Sequence, residues 1–278
     1  MSPSQTMNSF RVSGKDKENR TIDFAGLSVL SFLYMKLHIL GTGTAIPRIE
    51  RGSSAYMVTA NGVNVLVDVG PAVVRRLLER GYEVDDVDVV VLTHFHVDHT
   101  ADLSTFFFAC NYGRVPRVKP LILIGGKGLA RFYRGLRAIY PWITPKSYNL
   151  TVKRLVNDSI TLFGLTITTV PVNHNPESIA VRLEEKRSIT FSGDTGLSPN
   201  LARICAKTDV LVAECAFPER KVKGHLNLAS LDKIVEKAKP KRVLLTHLYP
   251  DWDDYRGVLH APYLLAEDGM EIDLPAED

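Results

Sequence analysis

The stretch that decides the reading is Val87-Asp88-Val89-Val90-Val91-Leu92-Thr93-His94-Phe95-His96-Val97-Asp98-His99. Its first half is a valine-rich run that reads as a strand buried on both faces, as in parallel sheets covered by helices. Its second half puts three histidines and an aspartate into six positions directly after that strand. Their side chains therefore leave a rigid sheet edge into a loop. Imidazoles and a carboxylate suit zinc, manganese or iron, and no cysteine stands among them to demand a softer metal. An ordinary polar loop does not account for such density. In extended chain, positions 94, 96 and 98 point to one side while His99 is free to turn to the other, which gives two ligand groups and points to two adjacent metals.

Outward from this stretch, strands are expected at 36–40, 53–59 and 63–68, with a helix at 72–80 before the central strand at 87–92. Beyond it come a helical run near 100–111, a strand at 120–124 and a helix at 127–139. Hairpin-like alternation follows at 149–156, 159–163 and 165–172, then strands at 178–184, 187–192, 208–214 and 241–246 with helices at 199–206 and 228–238. β-rich runs alternating with amphipathic helices are the pattern of a layered α/β domain. Two β-rich halves with helices outside would stack as a four-layer αββα sandwich, whose edge loops carry the chemistry.

The chain has 278 residues and is 45% hydrophobic, ample for a buried core. Its 34 basic and 31 acidic residues leave a formal charge of +3, too balanced for a nucleic-acid coat protein or a membrane-surface binder. Cys110, Cys205 and Cys215 are scattered and form no CxxC pair, which argues against a disulfide framework and fits a cytoplasmic setting. Residues 1–34 read as an N-terminal appendage, poorly ordered or a mis-assigned upstream start ahead of Met35, and 35–278 as the layered α/β domain. The apolar run Phe24 to Tyr34 is followed by no small-residue cleavage site and falls short of the roughly 20 apolar residues a membrane span needs.

His94-x-His96-x-Asp98-His99 resembles the signature of the metallo-β-lactamase superfamily, and the other motifs of that family follow in order. Asp68, ending Val65-Leu66-Val67-Asp68, matches the aspartate that supports the metal loop. His174 in Val172-Asn173-His174, Asp194 in Ser192-Gly193-Asp194-Thr195 and His247 in Leu245-Thr246-His247 match the remaining ligands. The resemblance implies that His94, His96 and His174 hold one metal, that Asp98, His99 and His247 hold the other, and that Asp194 bridges them. It implies two divalent ions, zinc first with manganese or iron as alternatives, and a metal-activated hydroxide as nucleophile. Asp98 is counted with the catalytic groups on this basis.

Within the superfamily, three features are similar to the ribonuclease Z branch of phosphodiesterases. They are the opening Leu40-Gly41-Thr42-Gly43-Thr44-Ala45-Ile46-Pro47, the acidic motif ending at Glu214, and Gly224-His225-Leu226-Asn227, which holds a further histidine outside the ligand set. If His225 hydrogen-bonds Glu214 near the metals, it can give a proton to a departing alkoxide. Ala213 departs from the branch, which has a histidine there. So does Asn227, where Ser or Thr is usual, and Leu248-Tyr249-Pro250 replaces the later Arg-Tyr. No long Gly/Pro-rich arm stands between Ile124 and His174.

The expected substrate is accordingly a phosphodiester-containing small molecule or an RNA 3′ end. Hydrolysis of a lactone, thioester or other carboxylic ester is the alternative on the same fold. A di-iron oxidoreductase is disfavoured by His96, and a non-catalytic module by the completeness of all seven ligands. Arg114, Arg117, Lys119, Arg131, Arg134 and Arg137 are candidates for an RNA-facing surface, although the last three recur at helical spacing and suit a solvated helix face equally. Phe106 to Tyr112 and Ile139 to Trp142 suit a pocket lip or a homodimer contact, with core burial as the commoner fate. No membrane association is expected.

Overall fold

The computed structural model describes residues 34–276; the expectation about the N-terminal appendage falls on residues outside these. Among the described residues the strands form two seven-stranded sheets. In the first, β1 (Tyr34–Gly41), β2 (Ala55–Ala60), β3 (Val63–Val67), β4 (Val89–Leu92), β5 (Leu121–Gly125) and β6 (Leu150–Arg154) lie side by side. The second runs β7 (Asp158–Leu162), β8 (Leu165–Pro171), β9 (Ile179–Glu184), β10 (Ser188–Phe191), β11 (Val210–Glu214) and β12 (Arg242–Thr246). Pairing is parallel from β3 through β6 and from β10 through β12.

The central strand shows why the sheets stack. Val89 and Val91 point into a core between the two sheets, where they join Ile167, Val181, Ile189, Val212 and Leu244. Val90 and Leu92 point the other way, into a core beneath the helices of the first sheet. Each such side chain contributes about 1.5–3 kcal/mol on full burial, so the run has apolar partners on both faces and no reason to sit at a surface.

Helices close both outer faces. On the first sheet α1 (Val73–Glu79), α2 (Val97–Thr100), α3 (Leu103–Tyr112) and α4 (Leu129–Ile139) follow in order. The α3 helix buries Leu103, Phe106, Phe107 and Cys110, an i, i+3, i+4, i+7 stripe. On the second sheet α5 (Pro199–Ile204) and α6 (Leu228–Ala238) pack through Leu201, Leu231, Ile234 and Ala238. The four-layer αββα sandwich expected from the sequence is thus the architecture observed.

Two strands lay beyond the sequence reading. β13 (Tyr263–Leu265) adds parallel to β12, and β14 (Glu271–Pro275) adds antiparallel to β1. Both are sheet edges, and β13 has only three residues, two of them exposed; so short an edge carries no usable alternation.

Arg117 is a correction. Instead of lining an RNA-facing surface it is 1% exposed, and its guanidinium donates to the carbonyls of Val84, Val87, Lys119 and Pro120 at 2.7–3.0 Å. It ties together the chain entering β4 and β5. Arg131, Arg134 and Arg137 are exposed on α4, as a solvated helix face requires. Of the aromatic residues, Phe106 and Phe107 enter the core while Phe108, Tyr112, Tyr140 and Trp142 remain exposed. Among the described residues no helix is long and apolar enough to cross a membrane.

Candidate metal centre

Six strands deliver their chemistry to one edge of the sandwich. Asp68 follows β3, His94 follows β4 after Thr93, His174 follows β8, and Asp194 follows β10. Glu214 is the last residue of β11 and His247 follows β12. Ligand sites outside the carboxyl ends of parallel strands are a consequence of such sheets. Asp68 and His247 both take left-handed backbone conformations, φ 60° and φ 55°, so the chain bends sharply there to aim each side chain inward. Gly193 also has positive φ, and a Cβ on it would lie 2.8 Å from the Ile179 carbonyl. Any side chain would push Asp194 out of line.

The decisive motif is not extended throughout. Val97–Thr100 forms a helical turn, so the strict alternation expected for positions 94, 96 and 98 ends at His96. Asp98 and His99 consequently fall together, and two groups arise. His94, His96, His174 and Asp194 converge in one, Asp98, His99 and His247 in the other, with donor atoms inside each group within 4.8 Å of one another. Asp194 faces both. Its Oδ2 is 3.6 Å from His94 Nε2 and 3.3 Å from His247 Nε2, and its Oδ1 is 3.4 Å from His99 Nε2. Asp98 Oδ2 lies 3.2 Å from His247 Nε2.

Most imidazoles are held from behind. His99 Nδ1 is 2.7 Å from Asp68 Oδ2, and Asp68 also accepts from the Thr93 amide at 2.8 Å and from its hydroxyl. His174 Nδ1 donates to the Gly224 carbonyl at 2.9 Å, and His94 Nδ1 lies 3.2 Å from Thr93 Oγ1. His96 Nε2 lies 2.9 Å from the side-chain amide of Asn175. Neither Thr93 nor Asn175 was singled out in the sequence, although each is adjacent to a ligand histidine.

The electrostatics describe a site made for cations. Burial pushes His94 down to about 2, assisted by the neighbouring charge of His99, so it is a neutral lone-pair donor. His99 is driven well above its ordinary value because Asp194 and Asp68 overcome the opposing effect of burial. Burial would raise Asp98, but the His247 hydrogen bond and the charges of His99 and His247 prevail and bring it to about 2. Asp194 is likewise held well below the usual carboxylate range by His247 and His99 against burial. Two buried carboxylates thus call for positive charge between them. The Nε2 atoms of His94 and His99 are buried without a hydrogen-bond partner among the described residues, and buried polar atoms rarely stay so. The residues present fit divalent cations.

His225 sits beside this centre, its ring 5.0 Å from that of His174 and 5.6 Å from that of His247. Its Nδ1 is 3.0 Å from Glu214 Oε1, the pairing anticipated from the motif. Glu214 is 1% exposed and also accepts from the amides of Thr195 (2.8 Å), Ala216 (3.1 Å) and Leu226 (3.2 Å). Burial lowers His225, yet the Glu214 hydrogen bond and charge outweigh it and raise the imidazole above 6.5. Asn227, one of the departures from the branch pattern, caps α6. Its side chain accepts from the Ser230 amide at 3.0 Å while Ser230 Oγ accepts from the Asn227 amide. Asn does at a helix start what Ser or Thr does, so that departure leaves the His225 loop anchored. The rings of Phe217 and Tyr249 pack at a tilt of 31° beside His225, their centroids 4.7 Å apart.

Residues 35–268 match the family described as "Anti-Pycsar protein Apyc1". The chain belongs to this family. It is also 26% identical over 221 residues to the probable metallo-hydrolase YhfI of Bacillus subtilis, covering 77% of this chain and 87% of that protein. A ribonuclease Z of Lachnoclostridium phytofermentans is 30% identical over 153 residues, 55% of this chain and 49% of the relative. The structure of the short form of human tRNase Z superposes with a TM-score of 0.73 at 22% identity, covering 86% of this chain and 99% of that one. With these relatives, this fold and this donor set, the protein is a metal-dependent hydrolase of the metallo-β-lactamase superfamily, on its ribonuclease Z-like side.

Proposed function

We propose that the protein is a phosphodiesterase with a dinuclear metal centre, and that its substrate is a small phosphodiester rather than an RNA 3′ end. The observation that carries the reading is the His225–Glu214 pair, 3.0 Å apart beside the metal ligands. A lactone or thioester has a leaving group that departs with less need of a proton, whereas an alkoxide leaving a phosphodiester gains most from a positioned acid.

In this proposal His94, His96 and His174 hold one cation, Asp98, His99 and His247 the other, and Asp194 reaches both. When bound, two divalent ions, zinc by the chemistry of the donors, make hydroxide available from water at neutral pH and offset charge on the phosphoryl oxygens. The chain's own groups do the rest. Asp68 keeps the proton of His99 on Nδ1, leaving Nε2 free to ligate. Glu214, saturated by three backbone amides, cannot turn away from His225 and keeps its imidazole protonated. His225 Nε2, on the far side of the ring, is then the atom that passes a proton to the leaving oxygen.

A small substrate is favoured because the interval from β5 to β8 folds as helix and short strands, and because Arg117 is withdrawn into the interior. The three cysteines are buried and unpaired, which suits the reducing cytoplasm.

Turnover of bis(p-nitrophenyl) phosphate by zinc- or manganese-reconstituted protein, beside a chromogenic lactone and a β-lactam, tests the reading. Phosphodiester cleavage that His96→Ala abolishes is the expected result. Hydrolysis of the lactone without phosphodiester cleavage would transfer the site to carboxylic esters.

A further inference from the structure

The group Asp98, His99 and His247 is drawn from both sheets. Asp98 and His99 stand in the turn after β4, in the first sheet, while His247 follows β12 in the second. The apolar core between the sheets holds them together, but apolar burial has no direction and does not by itself set a distance between donor atoms. His247 also has the least behind it. The Nδ1 atoms of His94, His99 and His174 each lie within 3.2 Å of a protein oxygen, whereas Nδ1 of His247 is buried without a hydrogen-bond partner among the described residues. Its backbone is left-handed, φ 55°, a conformation that a residue with a side chain keeps only where its neighbours hold it. The direction of this imidazole therefore has to come from the chain on either side of it.

That chain is tied to the first sheet twice. After His247, the Leu248 amide donates to the carbonyl of Thr42, in the loop after β1, at 3.0 Å. Thr42 is itself fixed by the Asp268 carboxylate, which accepts from its amide at 2.9 Å and from its hydroxyl at 2.7 Å. Before His247, Thr246 Oγ1 lies 2.7 Å from the Tyr56 hydroxyl. Tyr56 belongs to β2 and pairs with Val67, the residue before Asp68, so its side chain starts from the edge that carries the site and reaches across the core to the second sheet. It is 4% exposed, and its ring lies against that of Phe191, centroids 5.2 Å apart. A phenylalanine would pack as well there, and a buried hydroxyl is costly unless paired. What the oxygen contributes is a directed contact between the sheets, one residue away from the ligand.

We infer that Tyr56 is a positioning residue for the metal centre: its hydroxyl, through Thr246, holds His247 against Asp98 and His99 and sets the affinity of that group for its cation. The inference rests on the proposed metal centre. Zinc binding by the full chain, followed by chelator competition so that the two ions are read separately, is the test. Tyr56→Phe should weaken one ion by about 10-fold, the lower end of what losing a supporting hydrogen bond costs a metal site, and leave the other unchanged. Thr246→Val should do the same, while Thr246→Ser, which keeps the oxygen, should bind as wild type does. Tyr56→Phe combined with Thr246→Val should lose no more than either alone, because both remove one interaction. In a His247→Ala chain, which keeps the other group, Tyr56→Phe should change nothing. A merely structural role would instead weaken both ions together. That result, or zinc affinities in Tyr56→Phe equal to those of wild type, would overturn the inference and leave the metal centre standing. A wild-type chain that binds no zinc, manganese or iron would overturn the metal centre and this inference with it.

Discussion

The floor of the site and its rim are built on different principles. The floor, comprising His94, Asp98, His99, Asp194 and His247, is buried, springs from strand ends or the turn after β4, and is braced through Asp68 and Thr93. The rim, comprising His225, Tyr249, Phe217 and Arg220, lies on the loops after β11 and β12 and meets solvent at Arg220. Arg220 covers the Phe217 ring at 4.1 Å and pairs with Asp251 at 3.1 Å. In the proposed function the floor supplies the hydrolytic centre. On the same proposal the rim governs which leaving groups depart easily and, through its side chains, which substrates fit. His225 is the exception that joins them, a rim residue clamped by the buried carboxylate Glu214.

The largest effect should come from the floor. Asp194→Ala removes the carboxylate that faces both ligand groups, and both metal content and hydrolysis should fall to background. Atomic absorption on the purified variant, with circular dichroism to show that it folds, checks this. A variant retaining both metals and activity would break the division between floor and rim.

Next in size is His225→Ala, which leaves the floor untouched. Metal content should match wild type while turnover of an alkyl phosphodiester falls by about 10²–10⁴-fold, the usual contribution of a positioned acid. Loss of metal instead would make His225 a ligand, since its ring nitrogen also lies within 4.8 Å of donor atoms of Asp194 and His247.

A smaller change is expected from Glu214→Gln. In wild type the acid form of His225 is populated below its raised value and lost as pH rises through it, giving kcat a basic limb. Removing the carboxylate removes the largest raising influence, so that limb should shift to lower pH with the low-pH plateau retained. A pH profile of kcat measures it, and an unmoved limb would detach Glu214 from His225.

The smallest effect belongs to Arg220→Ala. Its ion pair with Asp251 is exposed, and such pairs contribute about 0–1 kcal/mol. Denaturant midpoints should barely move, and any change should appear in KM for a charged substrate rather than in kcat.

The convergence of the floor was legible in the sequence because its candidate ligands sit at strand ends or in the turn after β4, where a valine-rich run fixes the register and a short motif fixes the rest. What lay outside the pattern did so for physical reasons. Asp98 and His99 pair because a helical turn begins at Val97, and nothing in an alternating count marks that change of period. Thr93 acts through hydrogen bonds to Asp68 and His94 from a position that could equally be a loop polar residue. Arg117 looked like part of a basic surface because charge alone does not distinguish a guanidinium facing water from one saturated by backbone carbonyls. β13 and β14 are edges whose side chains bury little, so hydrophobic periodicity has almost nothing to register.

The most direct test of the account is the dependence of kcat on leaving-group pKa, measured for wild type and His225→Ala over a series of phosphodiesters from p-nitrophenyl to alkyl. The account predicts a shallow slope for wild type and a steep one for the variant, the two converging at the best leaving groups, where no proton is needed. Parallel slopes would contradict it, leaving the floor intact and His225 without the role on which the phosphodiesterase proposal rests.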